Sequence, residues 1–265
     1  MRRLLFLAMI VLLAATPPTL AQTEAKRAGE LLEGAQKDLE AGRVDEARGR
    51  LLRVIEIGGS RRQQADAHVG LALIAQRLGD LPESASRFQE ALRLIPTHRQ
   101  ALRGLAGLMG QSGSYTEAAS TYGLILQQAP DDVSARLGQV TALIFAGEHR
   151  QALASIEAGL EASPESLDLK DVLARHLAGC PDLEVRDGDR ALTLALEVAR
   201  QVPTPQSLET LAMAYAETGR FEQAVEEQDR LLEAYGDKAG SELVAQWRRN
   251  RELYSAGKRC CADSS

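Results

Sequence analysis

The chain has 265 residues, with 31 basic against 37 acidic side chains, 45% hydrophobic and only 4% aromatic. This length holds one large domain or an array of repeats, and the apolar share argues against disorder over most of it. The acidic balance argues against a nucleic-acid partner, whose phosphates need a basic face. Few rings and much alanine and leucine favour helix over a core of large aromatics.

In chain order, the first element is a targeting segment. Met1-Arg2-Arg3 is a basic start, Leu4 to Ala15 is an unbroken apolar run, and small residues precede Gln22. The run is shorter than the roughly 20 residues of a membrane span. Its three-part form predicts a secretory signal peptide over residues 1–21, cut after Ala21. An uncleaved inner-membrane anchor on residues 4–15 is the alternative, and it is the only membrane contact expected. Removal of residues 1–21 leaves 29 basic against 37 acidic side chains, a net charge of −8. The expected location is periplasmic or secreted.

The rest of the chain repeats itself. Gly79, Gly113 and Gly147 stand 34 residues apart. Each is followed by a small residue five places on (Ser84, Ala118, Ala152) and by proline seventeen places on (Pro96, Pro130, Pro164). Gly42 with Ala47 and Gly219 with Ala224 repeat the first part of the pattern. In this register the chain resembles the tetratricopeptide repeat (TPR) family over nearly all of its length after the signal segment. The resemblance implies an all-α solenoid of helical hairpins.

With the glycine at place 15 of 34, place 8 holds Ala35, Ala72, Ala106, Val140, Ala174 and Ala212. Place 20 holds Ala47, Ser84, Ala118, Ala152, Ala191 and Ala224. Small side chains at both places let two helix axes approach. Larger residues at places 7 and 24, such as Leu71, Leu173, Phe88, Tyr122 and Ile156, fill the flanks. The glycine suits a helix C-terminus that needs a left-handed backbone, and the proline stops the second helix.

Six hairpins are therefore predicted, over residues 28–64, 65–98, 99–132, 133–166, 167–204 and 205–238. The first is degenerate, with Gly34 where the repeat wants leucine. The fifth carries an insert, "CPDLEVRDGDRAL", in which Pro181 stops one helix and Asp187 or Asp189 caps the next. The stretch is similar to a loop of some bacterial TPR arrays. Residues 241–257 read as a terminal capping helix with Trp247 on its packed face, and residues 258–265 as a flexible tail.

Chemistry is not expected. Neither a metalloprotease helix, a nucleophile elbow nor a phosphate loop occurs, so no catalytic residues, no enzyme and no cofactor are predicted. Cys180 and His176 stand four apart, but nothing adjacent in the sequence completes a metal set, so no metal is expected. In an oxidising compartment a disulfide from Cys180 to Cys260 or Cys261 is allowed.

The TPR resemblance implies a concave groove lined by the first helix of each hairpin. Carried over by place, the groove residues are Val69, Gly70, Leu73, Arg77, Arg103, Gly104, Gly107, Leu137, Gly138, Thr141, Ile144, Phe145 and Arg175, with Gly110 and Gln111 extending the third hairpin. The Asn–Lys clamp by which some TPR proteins hold a C-terminal carboxylate is missing, since the one Asn, Asn250, lies in the capping helix. Glycine inside a helix costs about 0.8–1.0 kcal/mol against alanine. The glycines at Gly70, Gly104, Gly107, Gly110 and Gly138 therefore need an offset: close packing between helices, or a bare floor for a partner. The expected function is a protein-interaction scaffold of a cell-envelope assembly that takes a peptide or helix. The alternative is a self-associating structural protein.

Overall fold

The computed structural model describes residues 19–259. Among them the chain is all-α, with thirteen helices and no strand. No described helix is long and apolar enough to cross a membrane. Most of the expected signal segment, residues 1–18, lies outside the described residues, and so do Cys260 and Cys261 and with them either disulfide to Cys180. The chain divides into two compact units, residues 1–98 and 99–265.

The first unit holds α1 (Leu20–Glu40), α2 (Val44–Ile57), α3 (Arg61–Arg77) and α4 (Leu81–Leu94). Helix α1 starts eight residues before the expected boundary at 28. Thr19 and Gln22 form a reciprocal capping box there that satisfies its first amides. Hairpins α1–α2 and α3–α4 are joined by packing of α2 on α3, over a core that includes Ala28, Ala35, Ala47, Leu51, Val54 and Leu71. The degenerate first hairpin, lacking a leucine at Gly34, has a polar clamp. Buried Asp38 accepts from Arg43 at 2.7 Å and from Arg50 at 2.7 Å. Those hydrogen bonds, Arg43 first, hold its carboxyl below the usual range.

The second unit holds α5 (Arg99–Gln111), α6 (Tyr115–Gln128), α7 (Val133–Phe145), α8 (His149–Ala162), α9 (Leu167–Gly179), α10 (Gly188–Gln201), α11 (Pro205–Glu217), α12 (Phe221–Tyr235) and α13 (Ser241–Ser255). Hairpins follow one another, each second helix also packing on the first helix of the next pair. At the contacts between helix axes the small residues are fully covered: Ala106, Ala118, Ala152, Ala174, Ala191, Ala212 and Ala224 are all 0% exposed. Ile156 and Leu173 fill the flanks and are buried. The starts of α7, α9, α10 and α11 are closed by side chains, as where Asp132 accepts from the Ala135 amide at 3.0 Å.

One turn geometry recurs. Gly147 has φ 77°, in the left-handed region, and Gly113 has φ 82°. After Gly147 the Glu148 amide donates back to the Leu143 carbonyl at 2.9 Å, and the Ser114 amide reaches Met109 in the same way at 2.9 Å. This six-to-one bond satisfies a carbonyl that the ending helix leaves open.

The fifth hairpin has no such glycine. Its loop is built on Arg186, which donates to the Cys180 carbonyl at 2.6 Å and to Glu217 of α11 at 3.1 Å. Both members of that ion pair are buried. Val185 is buried beside it, and Asp187 caps α10 by accepting from the Arg190 amide at 3.0 Å. Helix α13 packs on α12. It sets Trp247 against Leu208 and Leu231, and Tyr254 against Ala212, Ala216 and Ala224.

A partly buried polar network joins α9, α11 and α13. Arg175 donates to the Gln206 carbonyl and the Thr210 hydroxyl, and stands 3.7 Å from Glu209, which also accepts from Gln246. Burial pushes the Glu209 carboxyl up; Arg175 opposes that shift and Asp171 adds to it.

Gly147→Ala forces a Cβ into left-handed backbone and should lower unfolding stability by about 1–2 kcal/mol in urea titration. Arg186→Ala removes the loop's hold on the Cys180 carbonyl and the shorter of the two arginine contacts of Glu217, Arg259 remaining at 3.5 Å, and should lower it by about 1–3 kcal/mol. The Glu209 proton is held by the folded protein at pH values where the unfolded chain has lost it. Stability therefore rises as pH falls from the folded-state pKa toward the ordinary carboxylate range. Glu209→Gln, which cannot titrate, should show a flatter stability profile over that window.

Candidate functional site

In the second unit a cleft of about 520 Å³ opens between α5, α6 and α7. Its floor is Ala106, Gly107, Gly110 and Gln111 of α5. Leu137, Gly138, Thr141, Ala142 and Phe145 of α7 form one wall, and Tyr115, Ala118 and Tyr122 of α6 the other. The lining is mainly apolar and aromatic, the usual character of a pocket that holds a ligand. At the mouth, Tyr115 and Phe145 stack with ring centroids 5.2 Å apart and planes inclined by 22°. Phe145 is nevertheless 64% exposed, a large apolar area left to water. Burial pushes the Tyr122 phenol up, against the opposing pull of Arg103, so its hydroxyl stays protonated.

The cleft brings together Gly107, Leu137, Gly138, Thr141 and Phe145 of the expected groove residues. The others lie elsewhere. On α3, in the first unit, Val69 is buried at 2% exposure and has no free surface to offer a partner. Leu73 and Arg77 are exposed there. Ile144 is half-buried and packs on the core of the second unit. Arg103 is tied to Asp132 at 2.7 Å, and Arg175 is engaged in the network with Thr210 and Glu209. Gly104 is half-buried on α5. Tyr115, Ala118 and Tyr122 are on a second helix, so the first-helix rule does not supply them. Tyr122 stands at a place read as packing, and it reaches the cleft because Gly138 opposite has no side chain.

The glycines separate into two kinds. A Cβ on Gly138 would lie 2.5 Å from the Tyr122 ring, and one on Gly70 would lie 2.9 Å from Leu51. Gly138 therefore makes room for the Tyr122 ring, and a side chain at Gly70 would have to displace the end of Leu51. A Cβ on Gly107 or Gly110 would meet nothing within 4 Å. Packing gives no reason for those two, and they are the bare floor of the cleft.

His149, at the start of α8, stands beside His176 of α9, with ring centroids 5.7 Å apart. Burial is the main cause that holds the His176 imidazole below its usual value, so it is neutral at pH 7. The sequence spacing pairs His176 with Cys180; the fold adds His149 from 27 residues upstream.

Models of the tetratricopeptide repeat match residues 32–98, 69–133 and 177–239, and a second such model matches residues 110–175. Among solved structures, a tetratricopeptide repeat protein from Parabacteroides merdae is 17% identical with a TM-score of 0.68, covering 88% of this chain and 88% of its own. Pseudomonas aeruginosa pilF is 17% identical with a TM-score of 0.67, covering 86% of this chain and 99% of its own. YrrB, described as a TPR protein with an unusual peptide-binding site, is 17% identical with a TM-score of 0.56, covering 75% of this chain and 97% of its own. No curated protein matches the chain. With the family models spanning most of the residues, and the hairpins and their turns in place, the chain belongs to the tetratricopeptide repeat family.

Proposed function

We propose that this protein is a non-catalytic scaffold that binds a peptide or amphipathic helix of a partner protein in the α5–α7 cleft, and that it works outside the cytoplasm as part of a cell-envelope assembly. The carrying observation is the pair Gly107 and Gly110. Each weakens α5 relative to alanine by about 0.8–1.0 kcal/mol. Neither has a neighbour that a side chain would strike. What sets these two apart is that both line the apolar cleft, where the missing side chains leave room for a ligand.

The lining says what that is. Tyr115, Tyr122, Leu137 and Phe145 offer apolar and aromatic contact, the residue types that anchor a partner's side chains. The bare floor lets a partner's backbone or helix come close. Peptide binding by the similarly folded YrrB supports this use of the fold. The basic start and apolar run of residues 1–15 support export.

Peptides selected from a displayed random library against the purified protein should carry apolar or aromatic anchors. Gly107→Leu with Gly110→Leu fills the floor and should reduce their binding at least tenfold. Helix stability should not fall, because leucine is a far better helix former than glycine. Gly107→Ala and Gly110→Ala should each raise unfolding stability by about 0.8–1.0 kcal/mol. Undiminished peptide binding by the double leucine variant would remove the cleft from the function. Light scattering across a concentration range separates a foreign partner from a second copy, since self-association makes the mass rise with concentration and the leucine variants abolish the rise.

A further inference from the structure

We propose that His149, His176 and Cys180 form a binding site for a borderline divalent transition-metal cation of the zinc type. One donor atom from each residue lies within 4.8 Å of the other two. His176 and Cys180 are buried and His149 half-buried. The three come from separate places: the first residue of α8, the last turn of α9, and the residue that ends α9. Two imidazoles and a thiolate suit zinc, cobalt(II) and their neighbours, and do not suit the oxygen-seeking calcium or magnesium.

Two hydrogen-bond facts favour a ligand over a polar knot in the core. Nδ1 of His149 is buried and has no hydrogen-bond partner among the described residues. Buried polar atoms are nearly always satisfied, so one left over next to a thiol and a second imidazole calls for a reason. His176 presents Nε2 to the His149 carbonyl at 3.0 Å. A carbonyl only accepts, so Nε2 carries the proton and Nδ1 keeps the lone pair. A ring N–H given to a backbone carbonyl is the usual support for a metal-ligating histidine.

The surroundings hold the donors in place. Arg150, next to His149, bonds Asp182 at 3.2 Å and also pairs with Glu184, which fastens the segment after Cys180 to the start of α8. Arg186 grips the Cys180 carbonyl from the other side. Zinc at about 2.0–2.3 Å from each donor sets neighbouring donors about 3.5 Å apart, so side-chain rotation closes the set by about 1 Å. Three protein donors leave a fourth position for water or for a group from a bound partner. The site needs the Cys180 thiolate, so metal and a disulfide from Cys180 to the tail exclude each other.

The test uses the full-length chain, stripped of metal with a chelator and kept under a phosphine reductant. Cobalt(II) should give the visible bands of a tetrahedral site and a near-ultraviolet thiolate charge-transfer band, and zinc should displace it at one equivalent. Cys180→Ser should abolish the charge-transfer band. His149→Gln, which changes a half-exposed helix-start residue, should weaken cobalt binding by about tenfold or more while the circular dichroism stays unchanged. Cys260→Ser with Cys261→Ser should leave the spectrum intact. No cobalt spectrum in the wild-type chain, a charge-transfer band that persists in Cys180→Ser, or one that disappears with the tail cysteines would each overturn the proposal.

Discussion

The structure depends on how closely two helix axes approach within a hairpin. At places 8 and 20, where the paired helices lie closest, the residues are alanine, serine or valine, and they are covered completely or nearly so. Larger side chains there would push the axes apart, and the flanking Leu71, Phe88, Ile156 and Leu173 would lose their contacts. The left-handed glycine serves the same contact, because it turns the chain tightly enough for the second helix to lie back on the first. The terminal proline then frees the chain to begin again.

This constraint is why the architecture was legible in the sequence. Small residues at places 8 and 20 and glycine at place 15 repeat in register, and their spacing is a direct imprint of one contact made six times. The departures were less legible. Helix α1 starts earlier than the repeat predicts, and Thr19 and Gln22 cap it there, a local device that α3 and α11 also use, through Ser60–Gln63 and Thr204–Ser207, and that place counting does not supply. The fifth turn replaces a glycine with an Arg186–Glu217 pair whose members lie 31 residues apart, and no periodicity announces such a pair.

The candidate sites show the same division. Residues of the cleft that lie on first helices, such as Gly107, Leu137 and Phe145, follow from place number alone. Tyr115 and Tyr122 do not, since they belong to a second helix: Tyr122 reaches the cleft over the bare Gly138, and Tyr115 stands at its mouth against Phe145. Counting places also treats Val69 like Leu73, although the fold buries one and exposes the other. Nor does sequence tell a glycine held by packing, as at Gly138, from one facing open space, as at Gly107; only the neighbour opposite decides. His149 is a similar case: it is remote from His176 in sequence and adjacent through the packing of α8 on α9.

Trp247 and Tyr254 have a further consequence, for how long such an array grows. A hairpin's outer face is shaped to receive another hairpin, so an array without a terminator would have an adhesive end, ready to take up the end of any other copy. By placing two of the chain's few large rings on the face of the sixth hairpin, α13 covers it and leaves Arg248 and Arg249 exposed on its own outer side. A duplication inserted upstream of α13 would lengthen the array and leave that face still covered.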